Sequence, residues 1–403
     1  MQTDFSIGPN PAGIMSLNTP DGLRVITANV GQNMPIVDLE LAVQEALANP
    51  IDFVPLSQTV FPGDTVAIAV GPEVPATNEL VMALLKCFED TQVSMADITV
   101  VVPYDGETAG RLKEAIASEF SSVGFQVHDS HDDEALAYLA ASAAGDPIMV
   151  NRTLYDADIV IPVTTVRHDG MLGYNGGFDG LIPEYSDAAT QLRVRGMIAA
   201  VGETDDSQRR GDIRETAWLL GIQLSVRVVP DPNGGVVSIL AGMGVQLDVA
   251  AEEDFKQACS VSPEQAPLVI ASVSGSAGAD HWRSLANAAY AASQFVQANG
   301  VIVLLSDLNE PVGPATRFLA DLDDESARRR VMESQESDQI AAMQLLRLRG
   351  VCRIYFCCGG RQDELEEIGI GFAADINEIE NLSAEYDQCV VLHGADRVIP
   401  VIA

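Results

Sequence analysis

Strand-length apolar runs alternate with amphipathic stretches along nearly the whole sequence, and that rhythm leaves few architectures open. TVAIAV (65–70) is followed by 78–89, where Leu80, Val81, Leu84, Leu85 and Phe88 fall at helical spacing. DITVVVP (97–103) precedes a helix expected over 108–120. Then come GFQVH (124–128), a helix expected over 133–144, DIVIPV (158–163), and a glycine-rich segment to Tyr185. This order asks for a parallel sheet with helices on its faces, and continuous apolar runs suit strands buried on both sides. A second block repeats the order from about residue 262. It has PLVIASV (267–273), a helix expected over 281–299, GVIVLLS (300–306), a helix expected over 335–348, CRIYFCC (352–358) and QCVVLH (388–393). Between the blocks lie VRVVPDPNGGVVSILAG (226–242), in which PDPNGG reads as a turn, and a helix expected over 245–259. SVSPEQAP (260–267) is the natural linker. The expected organisation is two α/β domains with mainly parallel sheets, residues 1–261 and 262–403, and a cleft between them. DLDDESARRRVMESQESD (321–338) reads as a solvated helix with its cap.

Charge narrows the partners. The formal net charge is 23 − 58 = −35 over 403 residues. Nucleic acid and anionic membrane surfaces both ask for basic patches, so neither is expected as a partner. Only three basic residues are lysine (Lys86, Lys113 and Lys256), and the other 20 are arginine. An acidic surface almost free of lysine stays soluble at high ionic strength, where screening weakens self-repulsion. A salty habitat and lineage bias both account for it. The first 20 residues have neither a basic nor an apolar region of the signal-peptide kind. The longest apolar runs are strand-length, well short of the roughly 20 residues of a membrane span. Six cysteines, none in a CxxC pair, read as reduced thiols of a cytoplasmic protein.

Familiar motifs are missing. No glycine is followed by the lysine that a P-loop needs, and no GxGxxG, HExxH or GxSxG occurs. With five histidines, a histidine-rich metal site is not expected. HDSHDD (128–133) tempts as a metal site, but such aspartate clusters favour turns and caps. Two glycine-rich loops remain, each after a strand. In TTVRHDGMLGYNGGFDGLIPEYSD (164–187), Arg167 is placed to grip a carboxylate and His168 to move a proton near neutral pH. In SVSGSAGADHWRSL (272–285), Ser274 and Ser276 precede a helix start that suits an anion, and His281 and Arg283 occupy its first turn. A glycine-rich turn and an N-cap at Asp280 are the purely structural alternatives. The loops belong to different blocks, so a cleft between domains is the natural site.

With these blocks in hand, the chain resembles the lactate-racemase-like family, the nickel-pincer-dependent 2-hydroxy-acid racemases and epimerases. The resemblance rests on ALANPIDFVPLSQTVFPGDTVAIAV (46–70), QVHDSHDDEALAYL, GDPIMVNRTLYDADIVIPV, GYNGGFDGLIPEYS and VIASVSGSAGADHWRSLANAAYAASQFVQANGVIVLLSDLNEPVG (269–313). It implies two α/β domains around a cleft. It also implies hydride transfer to a nickel pincer nucleotide joined to a lysine, with histidines as acid and base. The family writes G-[FY]-S-G-G-x-K-x-x-x-P. This chain has Gly173, Tyr174, Asn175, Gly176, Gly177, Phe178, then Asp179 in place of the lysine, and Pro183. No lysine is expected near it. The family's D-x-T-R-P is replaced by Ala69-Val70-Gly71-Pro72-Glu73, and its T-H after the second strand by Tyr104-Asp105-Gly106. A glutamine and a lysine on the second-block helix align with about Ser284 and Asn287. Only His168 stands near the place of the remaining histidine.

Three readings of function follow. The first is a racemase-like protein with lost or altered activity, no cofactor and no metal. It would hold a small carboxylate or hydroxy acid through Arg167, Tyr174, Asn175, Gly176, Gly177, Ser274, Ser276, His281 and Arg283. The second is an isomerase or epimerase that uses His168 and Asp179 without the nickel pincer cofactor. The third is a regulatory or assembly protein without catalysis. A homo-oligomer is compatible with all three.

Overall fold

The structure, a computed structural model, describes residues 2–6, 14–18, 20, 22–27, 34–142, 144–200, 207–262, 264–273, 281–320, 323–358 and 361–401. Its frame is two six-stranded sheets with helices packed on them. The first has the strand order 236–242, 225–230, 159–165, 66–70, 98–102, 124–127. All neighbours in it run parallel except 225–230 and 236–242, the hairpin around the PDPNGG turn. The second has the order 371–372, 353–357, 296–305, 266–272, 388–392, 24–27, and is parallel throughout. No described helix is long and apolar enough to cross a membrane.

The apolar runs become the buried strands. Val66–Val70 is buried at every position, as a strand covered on both faces must be. Helix Thr77–Glu89 turns Leu80, Val81, Leu84, Leu85 and Phe88 to the core. Capping side chains start other helices: Asp38 accepts from the Leu41 N–H (3.0 Å) and Asp187 from the Thr190 N–H (3.0 Å). Asp323 caps Asp324–Glu333, which forms within the expected 321–338 segment.

Two expected helices differ. Over 133–144 only a single 3-10 turn, Asp133–Ala135, is helical. Leu136–Ala141 is a strand paired antiparallel with Pro147–Asn151. The alanine-rich stretch has helical propensity, but its partner strand brings Ile148 and Val150 against the core, and tertiary packing overrides propensity. The helix that starts at His281 ends at Ser293, because Val296–Leu305 is already a strand of the second sheet.

Both ends of the chain cross between blocks. Arg24–Thr27 adds to the second sheet beside Gln388–Leu392, and Ile399–Pro400 lies parallel to Ser260–Val261. The blocks also share core. Met171 and Ala199 are buried among second-sheet residues, and Val194 and Ile198 pack with Ile340.

Candidate functional site

In the first sheet the chain steps from 66–70 outward to 98–102 and 124–127, then returns to the other side at 159–165. In the second it steps from 266–272 to 296–305 and 353–357, then returns at 388–392. Ligand crevices open beyond the carboxyl ends of strands at such reversals. Here both reversals border one cleft of about 950 Å3, counted to its open mouth. Glu73 and Arg167 follow the two strands of the first reversal, and Arg283 and Arg397 those of the second.

The glycine-rich loop forms one wall. His168 pairs with Tyr174 and Asp169 with Gly173 in a two-residue antiparallel ladder, and Gly173 has φ +73°, which suits glycine. Asn175 fastens the ladder to the strand end. Its Oδ1 accepts from the Arg167 N–H (2.7 Å), and its Nδ2 donates to the Thr165 carbonyl (3.0 Å). Arg227 lies beneath, fully buried. Its Nη1 donates to Thr164 Oγ1 (2.9 Å) and its Nη2 to the Asn175 carbonyl (3.3 Å), while Nε lies 3.6 Å from Asp248 Oδ1. Burial pulls the Arg227 guanidinium below its usual value and pushes the Asp248 carboxyl up. A Cβ at Gly177 would sit 2.7 Å from Asp248 Oδ1, so a side chain here would displace the Asp248 carboxylate.

Asp169 joins the blocks. Its Oδ1 accepts from the Met171 N–H (2.7 Å), and its Oδ2 meets Arg283 Nη2 at 3.0 Å. Burial pushes its carboxyl up, but Arg283 and the Met171 N–H outweigh that and hold it below the usual carboxylate range. Gln344 Nε2 completes the link through Asn287 Oδ1 (2.5 Å).

Five arginines and five carboxylates line the cleft, so its lining balances within a chain of net charge −35. They are largely paired: Arg167 with Glu73 (3.2 Å), Arg209 with Asp179 (2.7 Å), Arg283 with Asp169 (3.0 Å), and more loosely Arg195 with Glu184 (4.0 Å). Asp179 has both oxygens engaged, Oδ1 by Arg209 and Oδ2 by the Gly176 N–H. Burial holds the His168 imidazole below its usual range despite the neighbouring Asp169, so the ring is neutral at neutral pH. Glu73 sits at φ +58°, a left-handed conformation that non-glycine residues adopt mostly where function or packing demands it.

Of the residues singled out in the sequence, Arg167, His168, Asn175, Asp179 and Arg283 come together on the cleft. Tyr174, Gly176 and Gly177 stand behind that lining. Tyr174 packs edge-on to His168 (5.1 Å between rings) and beside Phe255 (6.4 Å), and burial raises its phenol to about 12. The expectation of no lysine near the glycine motif is corrected. Lys256 Nζ lies 4.8 Å from the Tyr174 ring, because helix Gly244–Cys259 runs back alongside the loop. Lys256 does not line the cleft. Ser274 and Ser276 lie outside the described residues, as does the side chain of His281, which opens helix His281–Ser293.

The sequence reading missed Arg195, Arg209, Glu184 and Arg397. They come from distant segments, and their one signal was the use of arginine for nearly every cation. HDSHDD is structural. His128 Nε2 meets the Ser186 carbonyl (2.9 Å), Asp132 caps the 3-10 turn, and Asp129 accepts from the His131 N–H. Among the described residues no three His, Cys, Asp or Glu side chains gather as a metal site.

Residues 12–197 match the family described as Lactate racemase N-terminal domain. The chain is 19% identical over 262 residues to a protein of Thermoanaerobacterium thermosaccharolyticum named lactate racemase, a match spanning 62% of each chain. The structure of the lactate racemase apoprotein from that organism superposes with a TM-score of 0.74 at 16% identity, covering 100% of both chains. A crystal structure of a Thermotoga maritima protein gives 0.66 at 12% identity, over 93% of this chain and 100% of that one. Residues 12–197 therefore match the lactate racemase N-terminal domain, and the chain has the fold of the lactate racemase apoprotein along its length.

Proposed function

We propose that this chain keeps the family cleft as a binding site for a small carboxylate of the 2-hydroxy-acid kind, and that the family reaction is lost or altered in it. The observation that carries this reading is Asp179. It stands where the family resemblance places the cofactor-bearing lysine, and a carboxylate offers no amine for that linkage. Its two oxygens are also already taken by Arg209 and the Gly176 N–H. The residues present do not fit the nickel pincer nucleotide, and no step is routed through it. Acid–base groups contribute roughly 10²–10⁴ in rate each, so replacing several together leaves little of the original chemistry.

Binding is supported by the balanced lining. A guanidinium has five donors, and one ion pair leaves others to form a fork with a ligand carboxylate. The six cysteines are free, which supports a reducing, cytoplasmic setting. An isomerase built on His168 and Asp179 is less well supported, because both oxygens of Asp179 already accept hydrogen bonds, Oδ1 from Arg209 and Oδ2 from the Gly176 N–H. A purely regulatory role is less well supported by a cleft lined with five arginines and five carboxylates.

Calorimetric titration with L-lactate, D-lactate and neutral lactamide, together with metal analysis of the same preparation, tests the reading. Binding of the lactates but not of lactamide, with nickel far below one atom per chain, is expected. Stoichiometric nickel with interconversion of the lactates overturns it.

A further inference from the structure

We propose that Arg397 is the residue that anchors the ligand's carboxylate, an inference that rests on the carboxylate reading of the cleft and names the contact within it. Of the cleft's other arginines, Arg195 is held loosely by Glu184 (4.0 Å), while Arg167, Arg209 and Arg283 each have a carboxylate within 3.2 Å. Arg397 does not. Among the described residues, the carboxylate that pairs with it is that of its neighbour Asp396, 3.9 Å from Nε. Its Nη1 is buried and has no hydrogen-bond partner among the described residues, and Arg397 is one of the residues that line the cleft. A buried charged donor without an acceptor is costly, and its usual explanation is an acceptor that binds there.

The backbone around Arg397 is built to hold it. The residue closes the 3-10 turn Ala395–Arg397, between strand Gln388–Leu392 of the second sheet and Ile399–Pro400, which pairs with Ser260–Val261. The turn opens at Gly394, with φ +54° and with space for no Cβ, since one would lie 1.9 Å from the Pro232 carbonyl oxygen. Gly394 N–H donates to Ser272 Oγ (3.2 Å) on the neighbouring strand. The side chain then runs past the first block's 231–235 turn, where a Cβ at Gly234 would come within 3.3 Å of Nη1. Arg397 is thus fixed from both blocks at the reversal of the second sheet, opposite Glu73 and Arg167 at the reversal of the first. A fixed planar fork of permanent charge in such a place selects an anion over a neutral acceptor, because charge-assisted hydrogen bonds are roughly twice as strong.

The test is calorimetric titration of the full chain with L-lactate and D-lactate, for wild type, Arg397→Gln and Arg397→Lys, with thermal midpoints measured alongside. Lactate binding by wild type, weakened about tenfold or more in Arg397→Gln and partly restored in Arg397→Lys, is the expected result. Tenfold corresponds to about 1.4 kcal/mol. Equal lactate affinity in wild type and Arg397→Gln overturns the role of Arg397 while leaving the carboxylate reading in place. No lactate binding by wild type overturns both. If Arg397→Gln fails to fold, the Arg397→Lys comparison decides: unchanged affinity overturns the inference, and weakened affinity at an unchanged midpoint supports it.

Discussion

Single residues set the cleft's shape through close approaches. A Cβ at Gly170 would lie 2.4 Å from the Tyr290 ring of helix His281–Ser293. Gly170→Ala therefore has to push the glycine hairpin off the second block. Overpacking of this kind costs roughly 1–3 kcal/mol, to be read as a lower urea midpoint; an unchanged midpoint would mean the contact yields freely. Asp179 gives a sharper case. A lysine there sets a cation against Arg209, whose side chain is only 3 % exposed. Breaking a buried pair costs about 3–5 kcal/mol, so Asp179→Lys is expected to lose stability in urea and to gain no racemisation. Asp179 was singled out in the sequence. That Arg209 holds its carboxylate was not legible there, because the pair joins residues 30 apart in sequence through a fold that brings them together.

At the scale of elements, the strands were legible and one helix was not. Continuous apolar runs such as 66–70 and 301–305 announce buried strands, since few other settings bury both faces. The 133–144 segment carries helical propensity, and only the pairing of Leu136–Ala141 with Pro147–Asn151 decides its state. The hairpin of His168–Asp169 and Gly173–Tyr174 was legible as a glycine-rich loop, but its support was not. Arg227 sits in a strand that is apolar apart from it and Ser225, and only the structure shows it under the loop, reaching Thr164, Asn175 and Asp248. Arg227→Ala leaves Asp248 without its counter-charge. A loss of about 3–5 kcal/mol is expected, together with faster amide exchange across 168–177. Exchange that stays slow there would show that the loop holds without the arginine.

At the scale of the whole molecule, burial and net charge predict how the fold responds to solvent. His128, His168 and His393 are all held below 6.5 by burial. As pH falls from about 6.5, the unfolded chain takes up protons that the fold refuses, so stability falls with pH through that window. Glu73 and Asp169 add a second stage. Burial pushes each up, but neighbouring arginines hold both below their ordinary values of 4.5 and 3.8. Their contribution is present above those values and is lost as pH drops through the folded ones. Thermal midpoints measured from pH 8 to about pH 2 should fall in both stages, and a flat profile would contradict the assignment. The charge of −35 adds self-repulsion that salt screens, so the midpoint at pH 7 should rise from low to molar KCl. The two-block architecture was legible in the βα rhythm. The exchange of Arg24–Thr27 and Ile399–Pro400 between blocks was not, because short strands at the chain ends carry no periodic signal.

Whether the family fold survives here without the family reaction is tested most directly by incubating the purified full chain with L-lactate and measuring D-lactate by chiral chromatography. On the proposed reading, in which Asp179 stands at the position of the family's cofactor-bearing lysine, no D-lactate above the protein-free blank is expected. Progress toward the racemic mixture at a rate proportional to protein concentration would contradict it.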